Sequence, residues 1–361
     1  VNERRWLAPA RITLPGGGSR ELFHDPLLRL DTLRGRDPAA ALVIDRSFSR
    51  DAADRVTAQR TERGEIAYAY DELGRLTEVR GPGGRMETFT HDLAGNRLRA
   101  DAARGDWTYN ANGELLGFEG AAFSHDLNGN LEEAVSGGEA VRYVHSAHDQ
   151  LERVETASGR LVAEYGYDPF GRRLWKEVGG KRTYFFYAEE GLVSECDGTG
   201  REIRSYGFKP GSLWTTDPLF MKEGSEVYFY HNDHLGTPVV LTTASGRVVW
   251  SARYAAFGAA EVDPASLVEN NLRFPGQYYD AETGLHYNFQ RTYHPGLGRY
   301  LEPDPLGIAA GLNLYAYVLN DTINLIDPYG LWWEWGDELP QPIVSNSRSP
   351  CKWALCHGLR S

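Results

Sequence analysis

Tyr68-Ala-Tyr-Asp-Glu-Leu-Gly74-Arg-Leu-Thr is the stretch on which the reading of the fold turns. Aromatic residues at alternate positions mark a strand with one buried face. The Asp that follows caps a turn through its own backbone, Gly74 supplies a position of positive φ, and Leu76 opens the next strand. The same order returns at Phe89-Thr-His-Asp-Leu-Ala-Gly95-Asn-Arg-Leu, at Trp107-Thr-Tyr-Asn-Ala-Asn-Gly113-Glu-Leu and at Phe123-Ser-His-Asp-Leu-Asn-Gly129-Asn-Leu. A weaker copy begins at Tyr143, and Tyr165-Gly-Tyr-Asp168-Pro-Phe-Gly171-Arg-Arg-Leu is clear again. The first four glycines lie 21, 18 and 16 residues apart, a loose internal period. Each unit is a β-hairpin step whose apolar face needs its neighbours, so the steps stack into a long, coiled antiparallel sheet. His91 and His125 stand where other copies carry Tyr, and repeat geometry accounts for them without catalysis.

Downstream the pattern changes. Tyr228-Phe-Tyr-His-Asn-Asp-His-Leu-Gly236-Thr-Pro places His231, Asp233 and His234 within four residues. A strand and turn cannot easily converge all three on one ion, so their expected work is satisfying turn backbone, and no metal is predicted. Arg253-Tyr-Ala-Ala-Phe-Gly258 and the dense run from Arg273 to Asn288 lead into Arg299–Trp332. That last stretch holds two Asp-Pro-x-Gly turns, Asp304-Pro305-Leu306-Gly307 and Asp327-Pro328-Tyr329-Gly330, bracketing Leu312-Asn-Leu-Tyr-Ala-Tyr-Val. Pro fixes φ and Asp bonds its own backbone, which explains any single copy as a rigid turn. Two copies beside an abrupt change to Trp332-Trp333-Glu334-Trp335 leave the structural and catalytic readings both open.

The repeat resembles the YD repeat of the rearrangement-hotspot (Rhs) family, shared with insecticidal toxin-complex C proteins and teneurins. The likeness covers about residues 60–331 and is most specific from 228 onward. Gly-Gln-Tyr-Tyr-Asp, Glu-Thr-Gly-Leu-His-Tyr-Asn, Gly-Arg-Tyr, Leu-Asn-Leu-Tyr-Ala-Tyr and both Asp-Pro-x-Gly turns follow in the order of the Rhs core-associated region. Ala255 stands where the family's Tyr-Asp-Pro-Phe/Trp-Gly step has Asp.

The resemblance implies an all-β fold, a coiled YD-repeat sheet forming part of a hollow cocoon with a C-terminal core-associated plug. It also implies autoproteolysis between Leu331 and Trp332 by an aspartic-protease type of chemistry, with Asp304 and Asp327 as the pair. Two such carboxyls within hydrogen-bond reach do not both ionise, so one serves as base toward water and the other as acid. Arg299 is expected to orient a carboxylate or stabilise the oxyanion. Asp321 and Asp280 are alternative carboxylates, and Glu302 stands near enough in sequence to raise the pKa of Asp304.

The expected divisions are an N-terminal segment of further shell strands (1–60), the repeat shell (61–260), the core-associated region (261–331) and a short variable tail (332–361). The tail is the implied cargo, a truncated or vestigial toxin with no recognisable enzymatic signature. Further implied partners are a missing N-terminal part of the shell, a secretion apparatus and an immunity protein. The rival reading is a non-cleaving, teneurin-like adhesive protein whose aromatic faces bind carbohydrate or a cell-surface partner.

Composition narrows the classes further. A net charge of −12 over 361 residues argues against a broad nucleic-acid footprint, which would need a basic face. Cys196, Cys351 and Cys356 are too few for a disulfide framework. No apolar run is long enough to span a membrane, and no cofactor is implied. The N-terminus has no apolar signal region and begins with Val, which reads as a fragment or processed product. The expected location is the bacterial cytoplasm before export, then outside or in a target cell, by a route without a classical signal peptide.

Overall fold

A computed structural model describes residues 3–5, 8–14, 17–100 and 107–335. Among these there is no α-helix. Three short 3-10 turns, Pro82–Gly84, Gly307–Ala309 and Val318–Asn320, interrupt an otherwise β chain. Ten strands from Glu3–Arg5 to Arg97–Ala100 form one antiparallel meander, and sixteen from Thr108–Tyr109 to Ala260–Val262 form another. Every strand in them pairs with its neighbour in sequence. Leu42–Arg50 and Val56–Thr61 run without a break into Gly64–Tyr70, so the first sheet spans residue 60.

The turn at Asp71 shows why the repeat has its sequence. The Asp71 carbonyl accepts the Gly74 N–H, and Oδ1 accepts the N–H groups of Leu73 and Arg75. Oδ2 then receives Nε of Arg75 at 2.6 Å. Asp51 with Arg55, Asp168 with Arg172 and Asp197 with Arg201 repeat the arrangement. At Asp92 and Asp126 the side-chain amides of Asn96 and Asn130 take the place of the Arg. Successive turns are also tied together, Arg55 Nη1 donating to the Asp71 carbonyl and Arg75 Nη1 to that of Asp92.

The tyrosine before the turn has its own partner. Tyr70, Tyr167 and Tyr254 donate from Oη to the carbonyls of Val56, Leu151 and Pro238, each the first residue of the preceding strand. Buried backbone acceptors at the strand ends are thereby satisfied.

Residues after Val262 leave the meander. Tyr278–Asp280, Leu285–Asn288, Arg291–His294 and Arg299–Tyr300 form a small antiparallel sheet, and Leu325–Ile326 pairs with Glu334–Trp335. This C-terminal segment packs on the repeats along its length. Leu285 and Leu301 join the core of Leu131, Leu151, Val154 and Tyr165. Tyr278 and Tyr287 join that of Phe185, Met221, Leu241 and Trp250. Polar contacts bind the same seam: Arg173, fully buried, pairs with Asp280 at 2.6 Å, and Asn324 Oδ1 accepts the Val56 N–H at 2.8 Å. The first sheet meets the second where Leu33, Ile44 and Val56 pack with Val239 and Val240.

Candidate active site

The two Asp-Pro-x-Gly turns are variants of the shell turn. Asp304 Oδ1 accepts the Leu306 N–H at 2.9 Å and its carbonyl accepts that of Gly307 at 2.8 Å. Asp327 Oδ1 accepts the N–H of Leu331, four residues on, at 3.0 Å. In the shell turns at Asp51, Asp71, Asp168 and Asp197 the residue four positions on is Arg, at Asp92 and Asp126 it is Asn, and its side chain occupies Oδ2. Here those positions are Ile308 and Leu331. Each carboxylate therefore keeps one oxygen free of its own turn.

Both free oxygens meet at Arg291. Its Nη2 lies 2.7 Å from Asp304 Oδ2 and 3.2 Å from Asp327 Oδ2. Nε donates to the Gly330 carbonyl at 2.6 Å and Nη1 to that of Leu314 at 3.2 Å. The guanidinium carbon lies 3.6 Å from the centre of the Tyr300 ring. Tyr300 Oη in turn donates to Asp327 Oδ2 at 2.7 Å. Asn288 Nδ2 reaches both Tyr300 Oη and the Asp327 carbonyl, at 2.7 and 3.0 Å. Asp304, Asp327, Arg291 and Leu331 are all buried.

The electrostatics follow from enclosure opposed by one cation. Burial pushes the Asp304 carboxyl up to about 6, with the Arg291 charge and the Leu306 amide working against it. Burial also raises Asp327, opposed by Arg291 and the Tyr300 hydroxyl. The pair is bridged by the guanidinium and makes no direct carboxyl–carboxyl hydrogen bond, unlike the geometry expected for two acids sharing a proton.

Arg299 is not at this centre. Its Nη2 donates to the Gly113 carbonyl at 2.5 Å and its guanidinium lies over the rings of Tyr109 and Tyr315. Hairpin parity gives the reason. Tyr293 pairs directly with Tyr300 and His294 with Arg299, so Arg291, Tyr293 and Tyr300 share one face and Arg299 points to the other. Arg291 holds the position expected for Arg299.

The other carboxylates have separate engagements. Asp280 pairs with Arg173 and Lys176. Asp321 accepts from Asn324 Nδ2, and burial pushes it up to about 6. Glu302 accepts the Thr292 N–H and contacts His145.

Gly330 has φ +65°, and a Cβ there would strike the Asn288 carbonyl oxygen. Gly307 has φ +58° with open space around it. Pro305 and Pro328 occupy the second position of their turns. Trp332 is half-buried and stacks on Tyr329, ring centres 5.8 Å apart.

His231, Asp233 and His234 serve different partners. His231 Nε2 contacts Thr242 Oγ1, Asp233 Oδ1 accepts turn N–H groups, and His234 Nε2 donates to the Ile323 carbonyl. Cys351, Cys356 and most of the 332–361 tail lie outside the described residues.

A family description, the teneurin YD-shell, matches residues 39–323. The chain belongs to the teneurin YD-shell family. Among relatives of this YD-shell chain, the double-stranded DNA deaminase toxin A of Burkholderia cenocepacia is 32% identical over 320 residues, covering 78% of this chain and 22% of that protein. The toxin protein Tse5 of Pseudomonas aeruginosa is 29% identical over 382 residues, covering 87% and 29%. A crystal structure of TcdB2-TccC3-TEV superposes with TM-score 0.69 at 18% identity, over 88% of this chain and 18% of the other. The YD-shell fold is thus shared, and this chain spans less than a third of the length of these relatives.

Proposed function

We propose that this YD-shell chain is part of a toxin-encapsulating and delivery shell that cuts itself once, between Leu331 and Trp332. The observation that carries the reading is the meeting of Asp304 and Asp327 on one nitrogen of Arg291, with Asp327 hydrogen-bonded to the Leu331 amide.

Asp327, which receives Arg291, Tyr300 and the Leu331 N–H, acts as the carboxylate. It takes a proton from water as the water oxygen bonds to the Leu331 carbonyl carbon. Asp304, with its carboxyl near 6, carries the proton that passes to the leaving amine of Trp332 as the C–N bond breaks. Arg291 orients both acids and offsets their charge. Because the scissile bond belongs to the same chain, proximity lowers the barrier and one turnover is enough.

The relatives named as toxins support the cargo reading: the segment that begins at Trp332 is what cleavage would release into the shell. In this reading residues 1–60 add further strands to the shell of 61–260, and 261–331 form the self-cutting core-associated plug. Export to target cells, a secretion apparatus and an immunity protein belong to the same proposal. N-terminal sequencing of the small fragment from purified wild-type chain tests it. A fragment beginning at Trp332, absent from Asp327→Asn, is expected. An intact wild-type chain would leave the adhesive, glycan-binding reading in its place.

A further inference from the structure

Two arginines are buried at the seam between the first sheet and the C-terminal segment, and among the described residues no carboxylate pairs with either. Arg97 is 6% exposed and Arg299 7%. Arg97 Nη1 donates to the Leu297 carbonyl at 3.3 Å, and its Nε is buried without a partner. Its guanidinium lies 3.8 Å from the centre of the Phe257 ring. Arg299 reaches the Gly113 carbonyl and two tyrosine rings. Asp92, which acts on Arg299 through space, has its oxygens committed to the Asn96 amides and makes no ion pair with either arginine. Glu87, which acts on Arg97, is committed to Arg85 and the Ala256 N–H.

Both arginines line one cavity of about 10 Å³, together with Gly298, Asn313 and Asn320. That is the room of about one water or one small ion. Asn313 and Asn320 donate elsewhere, to Asn96 Oδ1 and the Gly95 carbonyl, so their Nδ2 groups are fixed by the surrounding turns. Gly298 matters here, since a Cβ would collide with Arg97 Nη2. Ring faces offset part of each charge. Burying two uncompensated cations side by side remains costly, and a neutral water would leave both charges standing.

We infer that this cavity binds a small monovalent anion, of which chloride is the abundant example, held between Arg97 and Arg299. The ion links the last described strand of the first sheet to the segment that carries the cleavage turns. It is independent of the self-cleavage reading.

The test is thermal unfolding of the purified chain in sodium chloride against sodium gluconate at constant ionic strength. Wild type is expected to gain about 3 °C in chloride, saturably, as a ligand specific to the folded state requires. Arg97→Met, which keeps the apolar stem, should lose that gain, while Arg34→Met on the surface should keep it. Equal melting in both salts, or an unchanged chloride response in Arg97→Met, would overturn the site. Should Arg97→Met not fold, wild-type crystals grown in bromide decide it. An anomalous peak between the two arginines supports the ion, and a peakless water there refutes it.

Discussion

Asp327 Oδ1 accepts the backbone N–H of Leu331 at 3.0 Å, which ties a buried carboxylate to the residue whose carbonyl precedes the compositional break. In a shell turn the same contact is a cap and nothing more. What distinguishes this turn is the second oxygen, which its own turn leaves unused and which Tyr300 and the Arg291 nitrogen that also holds Asp304 take up.

Asp304→Asn and Asp327→Asn should each slow self-cleavage by about a thousandfold or more, since each removes an acid or base from the reacting pair. The variants should still fold. Circular dichroism and gel analysis of freshly synthesised chain check both halves, and a variant cut at the wild-type rate would remove that residue from the chemistry.

Arg291 and Arg299 should separate cleanly. Arg291→Ala leaves two buried carboxylates without their cation and should cost about 3–5 kcal/mol, with cleavage lost. Arg291→Lys cannot make all its contacts at once and should fold but cut at least about tenfold more slowly. Arg299→Lys should lower stability while leaving the rate per folded chain unchanged. Denaturant melts and a cleavage time course read the two effects apart.

The pH dependence follows from Asp304. Its carboxyl, raised to about 6 by burial, holds the proton below that pH and gives it up above. Cleavage during cell-free synthesis should therefore fall as pH rises through about 6, approaching tenfold per unit at higher pH. The sign for stability is the same. A buried acid with a raised pKa binds its proton more tightly folded than unfolded, so its contribution declines as pH rises from the unfolded value toward 6. A cleavage rate that climbs steadily from pH 6 to 8 would contradict the assignment.

The two turn glycines should differ. Gly307→Ala meets open space and costs only the strain of its positive φ, about 1 kcal/mol. Gly330→Ala also drives a methyl into the Asn288 carbonyl and should disturb the Asn288 and Tyr300 contacts to Asp327. Cleavage should be near normal in the first and strongly reduced in the second.

In the shell, Asp71→Ala removes two amide caps and the Arg75 contact together. A loss of about 1–3 kcal/mol is expected, read from thermal denaturation.

The all-β meander was legible because each repeat carries its own turn chemistry, so local signals add along the chain. The Asp and Gly of each turn were readable for that reason. The Arg after Gly was not, because its partners are the second oxygen of the same Asp and the carbonyl of the next turn. At the candidate site, Asp304 and Asp327 announce themselves through paired motifs. Arg291, Tyr300 and Asn288 do not, since their roles depend on which face of a hairpin they occupy. Counting parity back from Tyr300 would have favoured Arg291 over Arg299, given the Tyr293–Tyr300 register.

The most direct measurement is the intact mass of the purified chain under denaturing conditions, wild type beside Asp327→Asn. The account predicts that wild type separates into residues 1–331 and a peptide beginning at Trp332, while the variant stays whole. A single full-length mass for wild type, indistinguishable from the variant apart from the substitution, would contradict it.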